Sequence, residues 1–198
     1  MADVSACMVK ELRGRTGVGM MECRKALIET NGDVDAAIKY LRERGISKAA
    51  SKAVRETKEG LIHSYIHFNG KIGVLLELNC ETDFVARTDQ FKQLAEDITL
   101  QIAATNPLAI SADQIDPALI ENEKDIARNK AILDGKKPEL VEMIVEGHLR
   151  KYCAENSLLD QETIADSTRT IKSLITDAIA ITGENIQVAR FVRYELGN

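Results

Sequence analysis

The chain has 198 residues, of which 44% are hydrophobic and 29% are charged, and its net charge at pH 7 is −5. A chain of this length forms one or two domains and can bury a sizeable core. The composition excludes a disordered chain, and the negative charge argues against a protein whose main function is to neutralise nucleic-acid phosphates.

Nothing in the sequence predicts a membrane or a secreted location. No run approaches the roughly 18 apolar residues of a membrane span, and the first residues, MADVSACMVK, lack the apolar core of a secretory signal. The cysteines, Cys7, Cys23, Cys80 and Cys153, are far apart and form no CxxC pair. They are interpreted as small buried hydrophobic residues in a reducing compartment and not as a disulfide or zinc framework. We expect a cytoplasmic protein that binds no membrane.

Residues 1–45 are predicted to form three short helices. The segment GRTGVG (residues 14–19) ends the first helix, Asn31 and Gly32 stop the second, and Gly45 closes the third. Asp33 is a good N-cap for the third helix. Apolar residues recur at helical spacing on the inner face of each helix, which comprises Val4, Cys7, Met8 and Leu12, then Met20, Cys23, Ala26 and Leu27, then Val34, Ala37, Ile38 and Leu41.

Residues 46–58, ISKAASKAVRETK, form a predicted basic linker. The segment has little apolar periodicity, and it sets Lys48, Lys52, Arg55 and Lys58 against the single acid Glu56. We interpret it as a partly helical tether in solvent. The alternative is a contact with RNA, which this density of positive charge also permits.

From Leu61 the apolar pattern changes to a period of two. The stretches LIHSYIHF and KIGVLLELNC flank Asn69 and Gly70, a pair that favours the positive φ angles of a type I′ turn, so the sequence predicts a β-hairpin. One face of the second strand is predicted to carry Ile72, Val74, Leu76, Leu78 and Cys80.

The rest of the chain predicts helices and one last strand. A helix from about residue 88 to 105 has an apolar face of Phe91, Leu94, Ala95, Ile98 and Ile102, and it ends at Asn106 and Pro107. Helices over 117–133 and 139–155, the latter with Leu140, Ile144, Val145, Leu149 and Tyr152 inward, form a helical hairpin. A further helix carries Ile171, Leu174, Ile175, Ala178 and Ile179 and stops at Gly183. The strand NIQVARFVRYEL joins the hairpin as a third strand, which gives an α+β fold with a three-stranded antiparallel sheet.

No enzyme signature emerges from the titratable residues. His63 and His67 lie on one face of a strand, but a metal site needs a third ligand, and two polar strand residues are the simpler interpretation. Cys80 has no base placed beside it by the sequence, so core packing is favoured over a nucleophile. The glycines of GRTGVG follow a helix and precede no GK[ST], so they are turn glycines and not a phosphate loop. We therefore expect no metal and no cofactor.

The most informative segment is CETDFVARTDQF, residues 80–91, which connects a predicted strand to a predicted helix. It places Phe84 beside Asp83 in a chain of which only 4% is aromatic. Functional side chains are often carried by loops on rigid supports. From the residues alone, Phe84 is equally compatible with a buried staple under the following helix and with an exposed anchor that binds another protein.

Several stretches resemble one known family. VKELRGRTGVGMMECRKAL, ETDFVART, GKKPELVEMIVEGHLRKY, LLDQ and FVRYELG occur in this order along nearly the whole chain. Together they resemble translation elongation factor Ts, the guanine-nucleotide exchange factor of elongation factor Tu. The resemblance implies an exchange factor that acts by binding and not an enzyme.

The resemblance also implies where the partner binds. Residues 1–45 are expected to form a module similar to ubiquitin-associated domains that docks on the G domain of elongation factor Tu, with Arg13, Met20 and Met21 as contacts. One of the two methionines is expected to pack in the core instead. Residues 59–198, including a helical hairpin at 117–156, are expected to form the core.

In the family, the loop that matches Thr82, Asp83, Phe84 and Val85 is associated with displacement of the magnesium ion. Asp83 and Phe84 are expected to push into the G domain beside the nucleotide. This chain resembles the short form of the family, because it has one three-stranded unit and a short helical hairpin. Short members of the family pair with a second copy, so we expect a homodimer that closes through the C-terminal region, including FVRYELG.

Two rival functions are weighed against this expectation. The first is a module that binds RNA or a ribosomal component through the linker lysines, whose mark is strongly salt-dependent binding. The acidic net charge and the lack of an aromatic stacking platform count against it. The second is a thiol or metal enzyme that uses Cys80 or His63 and His67. We expect no direct nucleic-acid partner.

Overall fold

The described part of the chain combines helices with one antiparallel sheet. A computed structural model of the chain describes residues 4–197; residues 1–3 and 198, which the predicted domains 1–45 and 59–198 include, lie outside it. The helices are α1 (Ala6–Thr16), α2 (Met20–Glu29), α3 (Val34–Lys52), α4 (Asp83–Ala86), α5 (Asp89–Thr105), α6 (Pro117–Leu133), α7 (Pro138–Asn156) and α8 (Ile171–Thr182). The strands, in the sheet order β1-β2-β3, are β1 (Glu59–Ile66), β2 (Ile72–Cys80) and β3 (Ile186–Glu195). The predicted α+β fold class is confirmed.

By its internal contacts the chain divides into two compact units, each built from separate segments. Among the described residues, the first unit contains 4–63, 77–95 and 173–189. The second contains 64–76, 96–172 and 190–197. The first unit thus includes the three N-terminal helices and α4, and the second includes α6 and α7. The predicted domain boundaries at residues 45 and 58 stay predictions.

The three N-terminal helices enclose a small apolar core, which confirms a three-helix module. Asp33 caps α3 as predicted, since its side chain accepts the backbone N–H groups of Asp35 and Ala36, each at 3.0 Å. The buried residues of this core are Val9, Leu12, Cys23, Ala26, Leu27, Ala37 and Leu41. Burial of one apolar face per helix is what holds so small a module together.

Two details of α1 differ from the sequence-based expectation. Cys7 is exposed, and Val9 holds the inner position in its place. Gly14 lies inside α1, which ends at Thr16, so it is not a turn glycine. The inner face of α1 is therefore set by Val9 and Leu12.

The prediction that Gly45 closes the third helix is wrong. Helix α3 continues through Gly45 to Lys52, so the first half of the predicted basic linker is helical. Gly45 is buried, and a Cβ built on it would lie only 3.1 Å from the Cβ of Ala180 in α8. The glycine serves close helix packing in the first unit and does not end the helix.

The hairpin between β1 and β2 is confirmed, but its turn is not of type I′. His67 N–H donates to Ile72 O at 2.9 Å, so the loop has more than the two residues of such a turn. Gly70 N–H donates to His67 O at 2.7 Å, and Gly70 alone of the Asn-Gly pair has a positive φ, 67°. The Asn69 side chain instead accepts the N–H of Lys71 at 3.0 Å. Only the glycine therefore uses the left-handed region.

The face predicted for the second strand is confirmed. Val74, Leu76, Leu78 and Cys80 are buried, and Ile72 at the strand end is half-buried. The alternate residues of β2 are more exposed, as expected for a strand with one covered face.

The helical hairpin of the second unit is confirmed as α6 and α7, with one change of register. Its core contains Ala127 and Ala131 from α6 and Val141 and Val145 from α7. Leu140, predicted to point inward, is exposed. Val141 and Val145 are four residues apart and share one side of α7, which leaves Leu140 outside it.

Helices α5 and α8 bury the faces that the sequence predicts. The buried residues of α5 include Phe91, Leu94, Ala95, Ile98 and Ile102, and those of α8 are Ile171, Ile175 and Ile179. Between residues 4 and 197, the structure contains no helix that is both long and apolar enough to cross a membrane.

Candidate functional site

The Phe84 loop, residues 82–87, follows β2 directly and contains the short helix α4. The side chain of Phe84 is 78% exposed, whereas Ala86 on the same turn is buried. Phe84 is therefore no buried staple, and of the two interpretations left open by the sequence the exposed anchor fits the structure. An exposed aromatic on a short structured loop is a typical protein-binding feature.

Two carboxylates, named here the crossed carboxylate pair, fix the start of this loop. Glu81 Oε1 accepts the backbone N–H of Asn185 at 2.7 Å. In the opposite direction, Glu184 accepts the backbone N–H of Thr82 at 3.0 Å and its hydroxyl at 2.7 Å. The hydrogen bond from the Asn185 amide, assisted by the charge of Arg55, lowers the pKa of the Glu81 carboxyl, so Glu81 stays ionised at neutral pH.

The end of the predicted linker joins the same network. Arg55 Nη1 lies 3.4 Å from Glu81 Oε2, and Asn185 Nδ2 donates to Arg55 O at 2.9 Å. Lys52 Nζ donates to the carbonyl of Gly183, at the end of α8. Residues 52–55 are thus attached to the connection between α8 and β3.

Asp83 does not present a free carboxylate. Its Oδ2 lies 2.7 Å from Nη2 of Arg87, four residues on, in an exposed ion pair across α4. Sequence reasoning did not single out Arg87, although the spacing of four within a helical turn is a usable signal. Val85 O accepts the hydroxyl of Thr88 at 2.8 Å, which joins the loop to the start of α5.

Cys80 lies beneath the loop and is a poor nucleophile. It is fully buried, and its Sγ donates to Thr82 O at 3.1 Å. Burial first, and then the negative charge of Glu184, raise the pKa of the Cys80 thiol from 9.0 to about 11. A thiol that is neutral and buried at physiological pH serves packing and not thiol chemistry.

The predicted contacts of the N-terminal module all lie on its surface. Arg13 is exposed, and the side chains of Met20 and Met21 are 40% and 71% exposed. The expectation that one methionine packs in the core is wrong, because Cys23, Ala26 and Leu27 already supply the inner face of α2. Two adjacent exposed methionines give this surface flexible, polarisable apolar side chains.

The structure offers no support for a metal site on β1. His67 Nδ1 lies 2.8 Å from the Tyr65 hydroxyl, within the same unit. In the described residues, no group of three or more His, Cys, Asp or Glu side chains is placed to hold a metal ion. His63 lies in β1, whereas His67 directly follows the last residue of that strand, Ile66.

The positive charges of the predicted linker are engaged within the protein. Lys48 Nζ lies 3.3 Å from Glu22 Oε2, and Lys58 Nζ lies 2.6 Å from Glu56 Oε2. Lys52 and Arg55 have the partners described above.

The sheet has an exposed apolar face within the second unit, called here the outer sheet patch. Arg193 Nε donates to Ala103 O of α5 at 3.2 Å, so the residues that alternate with it point to the other side of β3. A Cβ built on Gly73 would lie 3.1 Å from Cδ1 of Ile66, so the Ile66 side chain covers this glycine. The patch comprises Ile66, Phe68, Leu75, Val192, Tyr194 and Leu196.

The sequence matches known proteins along almost all of its length. A family model described as "Elongation factor TS" matches residues 29–198. The elongation factor Ts of Oleidesulfovibrio alaskensis is 54% identical over 197 residues, which cover 100% of both chains. That of Fervidobacterium nodosum is 55% identical over 195 residues, which cover 98% of this chain and 99% of the relative. That of Heliobacterium modesticaldum is 53% identical over 194 residues, with 98% and 90% covered.

Proposed function

The chain belongs to the elongation factor Ts family, and from this premise we propose that it binds elongation factor Tu loaded with GDP, disturbs the magnesium site of that partner and promotes GDP release so that GTP can bind. Membership itself assigns the coarser role of a nucleotide exchange factor in translation elongation. In the proposal the chain acts by binding, not as an enzyme. It works in the cytoplasm without a cofactor and without a direct nucleic-acid or membrane partner.

The observation that carries the proposal is the exposure of Phe84 on a loop that is fixed at its base. Its side chain is 78% exposed, and Thr82, two residues before it, is held by Glu184. A rigid aromatic loses little conformational freedom when it enters a partner, so more of its contact energy remains for displacing partner groups. This geometry suits a wedge made of Phe84 and its neighbour Asp83.

The proposed target of the wedge is the magnesium ion in the G domain of the partner. Magnesium requires near-ideal octahedral geometry, so a small displacement of its ligands weakens its binding strongly. Because the ion offsets the charge of the diphosphate, its loss weakens the binding of GDP. The coupling is reciprocal, so incoming nucleotide lowers the affinity of the exchange factor by the same ratio. Each 1.4 kcal/mol or so of coupling changes an affinity tenfold.

The N-terminal module is proposed to supply a second contact with the G domain. Arg13, Met20 and Met21 are all exposed; Arg13 lies in α1, and the two methionines are the first two residues of α2. Apolar side chains beside an arginine are a common composition for the centre of a protein interface. The module is expected to resemble ubiquitin-associated domains in its three-helix arrangement.

We further propose that the outer sheet patch binds a second copy of the chain. It presents apolar side chains from all three strands, among them Ile66, Leu75 and Tyr194. Exposed apolar patches of this kind mark interaction surfaces, and two antiparallel sheets pack well face to face. A two-fold arrangement would set each patch against its counterpart, and the patch includes part of FVRYELG, as the sequence-based expectation requires.

The test of the exchange function is the release of a fluorescent GDP analogue from elongation factor Tu, measured with and without this protein. The wild-type chain is expected to accelerate release. A double variant, Asp83→Ala with Phe84→Ala, is expected to do so far less while it remains folded. Circular dichroism and thermal unfolding of the variant serve as the folding control.

The outcomes separate the parts of the proposal. If both proteins accelerate release equally, exchange stands and the loop is only structural. If neither accelerates release from a competent partner, the exchange function is wrong, and salt-dependent RNA binding becomes the function to test.

A further inference from the structure

We propose that Glu184 is a positioning residue for nucleotide exchange, because it fixes Thr82 and, through Thr82, the orientation in which α4 presents Phe84. The inference rests on the proposed exchange function. It adds a residue from the connection between α8 and β3, more than a hundred positions along the chain from the loop, to the machinery of exchange.

The hydroxyl of Thr82 makes an unusual hydrogen bond for its position. Thr82 stands at the N-cap of α4 with an extended backbone, φ −132° and ψ 155°, but its side chain makes no capping hydrogen bond. A threonine at this position ordinarily accepts a backbone N–H of the helix. Here the hydroxyl donates to Glu184 Oε1 at 2.7 Å, so the start of α4 is anchored to another segment.

The backbone N–H and carbonyl of Thr82 are also hydrogen-bonded. Its N–H donates to Glu184 Oε2 at 3.0 Å, and its carbonyl accepts the thiol of Cys80 at 3.1 Å and the N–H of Ala86 at 3.3 Å. Two bonds to one carboxylate fix direction as well as distance, and bonds to a charged acceptor are stronger than neutral ones. The position of Thr82, and therefore of α4, depends on this carboxylate.

Glu184 is itself held in place by its own backbone and by its neighbours. Glu184 N–H donates to the hydroxyl of Thr182 at 3.3 Å. Its neighbours Gly183 and Asn185 are bonded to Lys52 and Arg55. A carboxylate on a connection that is fixed on both sides transmits its position to the loop, which a carboxylate on a mobile segment would not do.

The experiment measures stimulated release of a fluorescent GDP analogue by Glu184→Ala and Glu184→Gln, each made in the wild-type chain and in Phe84→Ala. Glu146→Ala, which removes an exposed carboxylate from α7, is the matched control. Glutamine keeps one acceptor oxygen for one of the two Thr82 donors, but its amide NH₂ group would face the other donor. In parallel, the hydrogen exchange of the Thr82 amide is followed by NMR, a readout that needs no partner.

We expect Glu184→Ala to lower the maximal stimulated rate about tenfold, the low end of the effects of supporting-shell substitutions, and Glu184→Gln only about threefold, because one acceptor oxygen remains. The concentration for half-maximal stimulation should change less, because Met20 and Met21 still bind. In the Phe84→Ala background, Glu184→Ala should have little further effect, since both changes remove the same wedge. The Thr82 amide should exchange faster, and Glu146→Ala should change nothing.

The inference is overturned if Glu184→Ala leaves the rate unchanged or lowers it by the same factor with and without Phe84. The second result would mean that Glu184 acts through overall stability. Failure of the proposed function looks different, because the wild-type chain would then not accelerate release at all. In that case unchanged exchange of the Thr82 amide in Glu184→Ala would refute the anchoring as well.

Discussion

Phe84 and Phe68 are both highly exposed aromatics near a strand end, yet they are supported differently. The exposed fractions of the side chains are 78% and 92%. The segment before Phe84 is fixed by the crossed carboxylate pair. Phe68 lies in the turn after β1, where its ring contacts that of His67 in a tilted arrangement, with centroids 4.4 Å apart, and the turn is closed by backbone bonds.

This difference in support shows that the exposure of an aromatic side chain alone does not identify a residue suited to act as a wedge. Phe84 belongs to a short helix whose N-cap residue, Thr82, is held by the side chain of Glu184 from a distant segment. Phe68 is one member of the outer sheet patch and is suited to a broad apolar contact. A wedge must hold its direction against the partner, whereas a member of a broad patch contributes mainly area.

The largest expected effect separates the two phenylalanines. Phe84→Ala should lower the maximal stimulated rate of GDP release about 100-fold, equivalent to roughly 3 kcal/mol, as expected for a central contact residue. Phe68→Ala should leave that rate within about twofold of wild type. Stopped-flow release of a fluorescent GDP analogue measures both. Equal losses in the two variants would end the distinction.

A charge introduced into the outer sheet patch should weaken self-association and leave the rate of nucleotide exchange unchanged. Tyr194→Arg is expected to raise the dissociation constant of the homodimer about 30-fold, roughly 2 kcal/mol, because an unpaired charge would be buried between two sheets. Analytical ultracentrifugation over a concentration series measures the change. Lys71→Arg, at an exposed position in the turn, preserves the charge and is the control. A wild-type chain that is monomeric at micromolar concentration would refute the dimer.

The support beneath the Phe84 loop can be probed through Cys80. With its pKa raised to about 11, its thiolate fraction at pH 8 lies about 100-fold below that of a thiol with a pKa of 9.0. Higher intrinsic reactivity of the more basic thiolate offsets part of this, so the net slowing of alkylation by iodoacetamide is about tenfold before burial is counted. The rate should rise with pH toward 11.

Exposed Cys7 provides the internal comparison for this measurement. Mass spectrometry of peptides after timed alkylation should show Cys7 modified well before Cys80. Rapid modification of Cys80 in the folded protein would mean that the base of the loop opens readily, and the contrast with the Phe68 turn would then disappear.

The smallest effect is expected at the ion pair across α4. Arg87→Ala removes the partner of Asp83, but exposed pairs at this spacing contribute only about 0.3–0.5 kcal/mol. The stimulated rate should change by about twofold and should approach the wild-type value in Arg87→Lys. A larger loss, unchanged by salt, would indicate that Arg87 itself contacts the partner.

Most of the fold could be predicted because its elements have regular apolar spacing. The period-two row of β2, ending at Cys80, and the period-3.6 faces of α5 and α8 each specify their element locally. Local signals also located Asp33 as a cap and Pro117 as a helix start. The sequence failed at Gly45, where the deciding contact is with Ala180 in a distant helix.

The loop around Phe84 could be located from the sequence, but the residues that hold the loop in place could not. The residue types around Phe84 and the family resemblance pointed to the loop, but whether Phe84 is buried depends on packing that composition does not encode. Glu184 was missed because its bonds to Thr82 join residues 102 positions apart in the sequence. The partners of the linker residues Lys52 and Arg55 are equally non-local.

The attachment of residues 52–55 to the connection before β3 has a consequence for how the two proposed partner contacts act together. Met20 and Met21 belong to the same compact unit as Phe84, and the chain between them is tied down by Lys52 and Arg55. In the proposed complex, binding of one surface would present the other at a high effective concentration and not at the end of a loose tether. Lengthening this segment with flexible residues would dilute the second contact, so avidity would fall although every contact residue is retained.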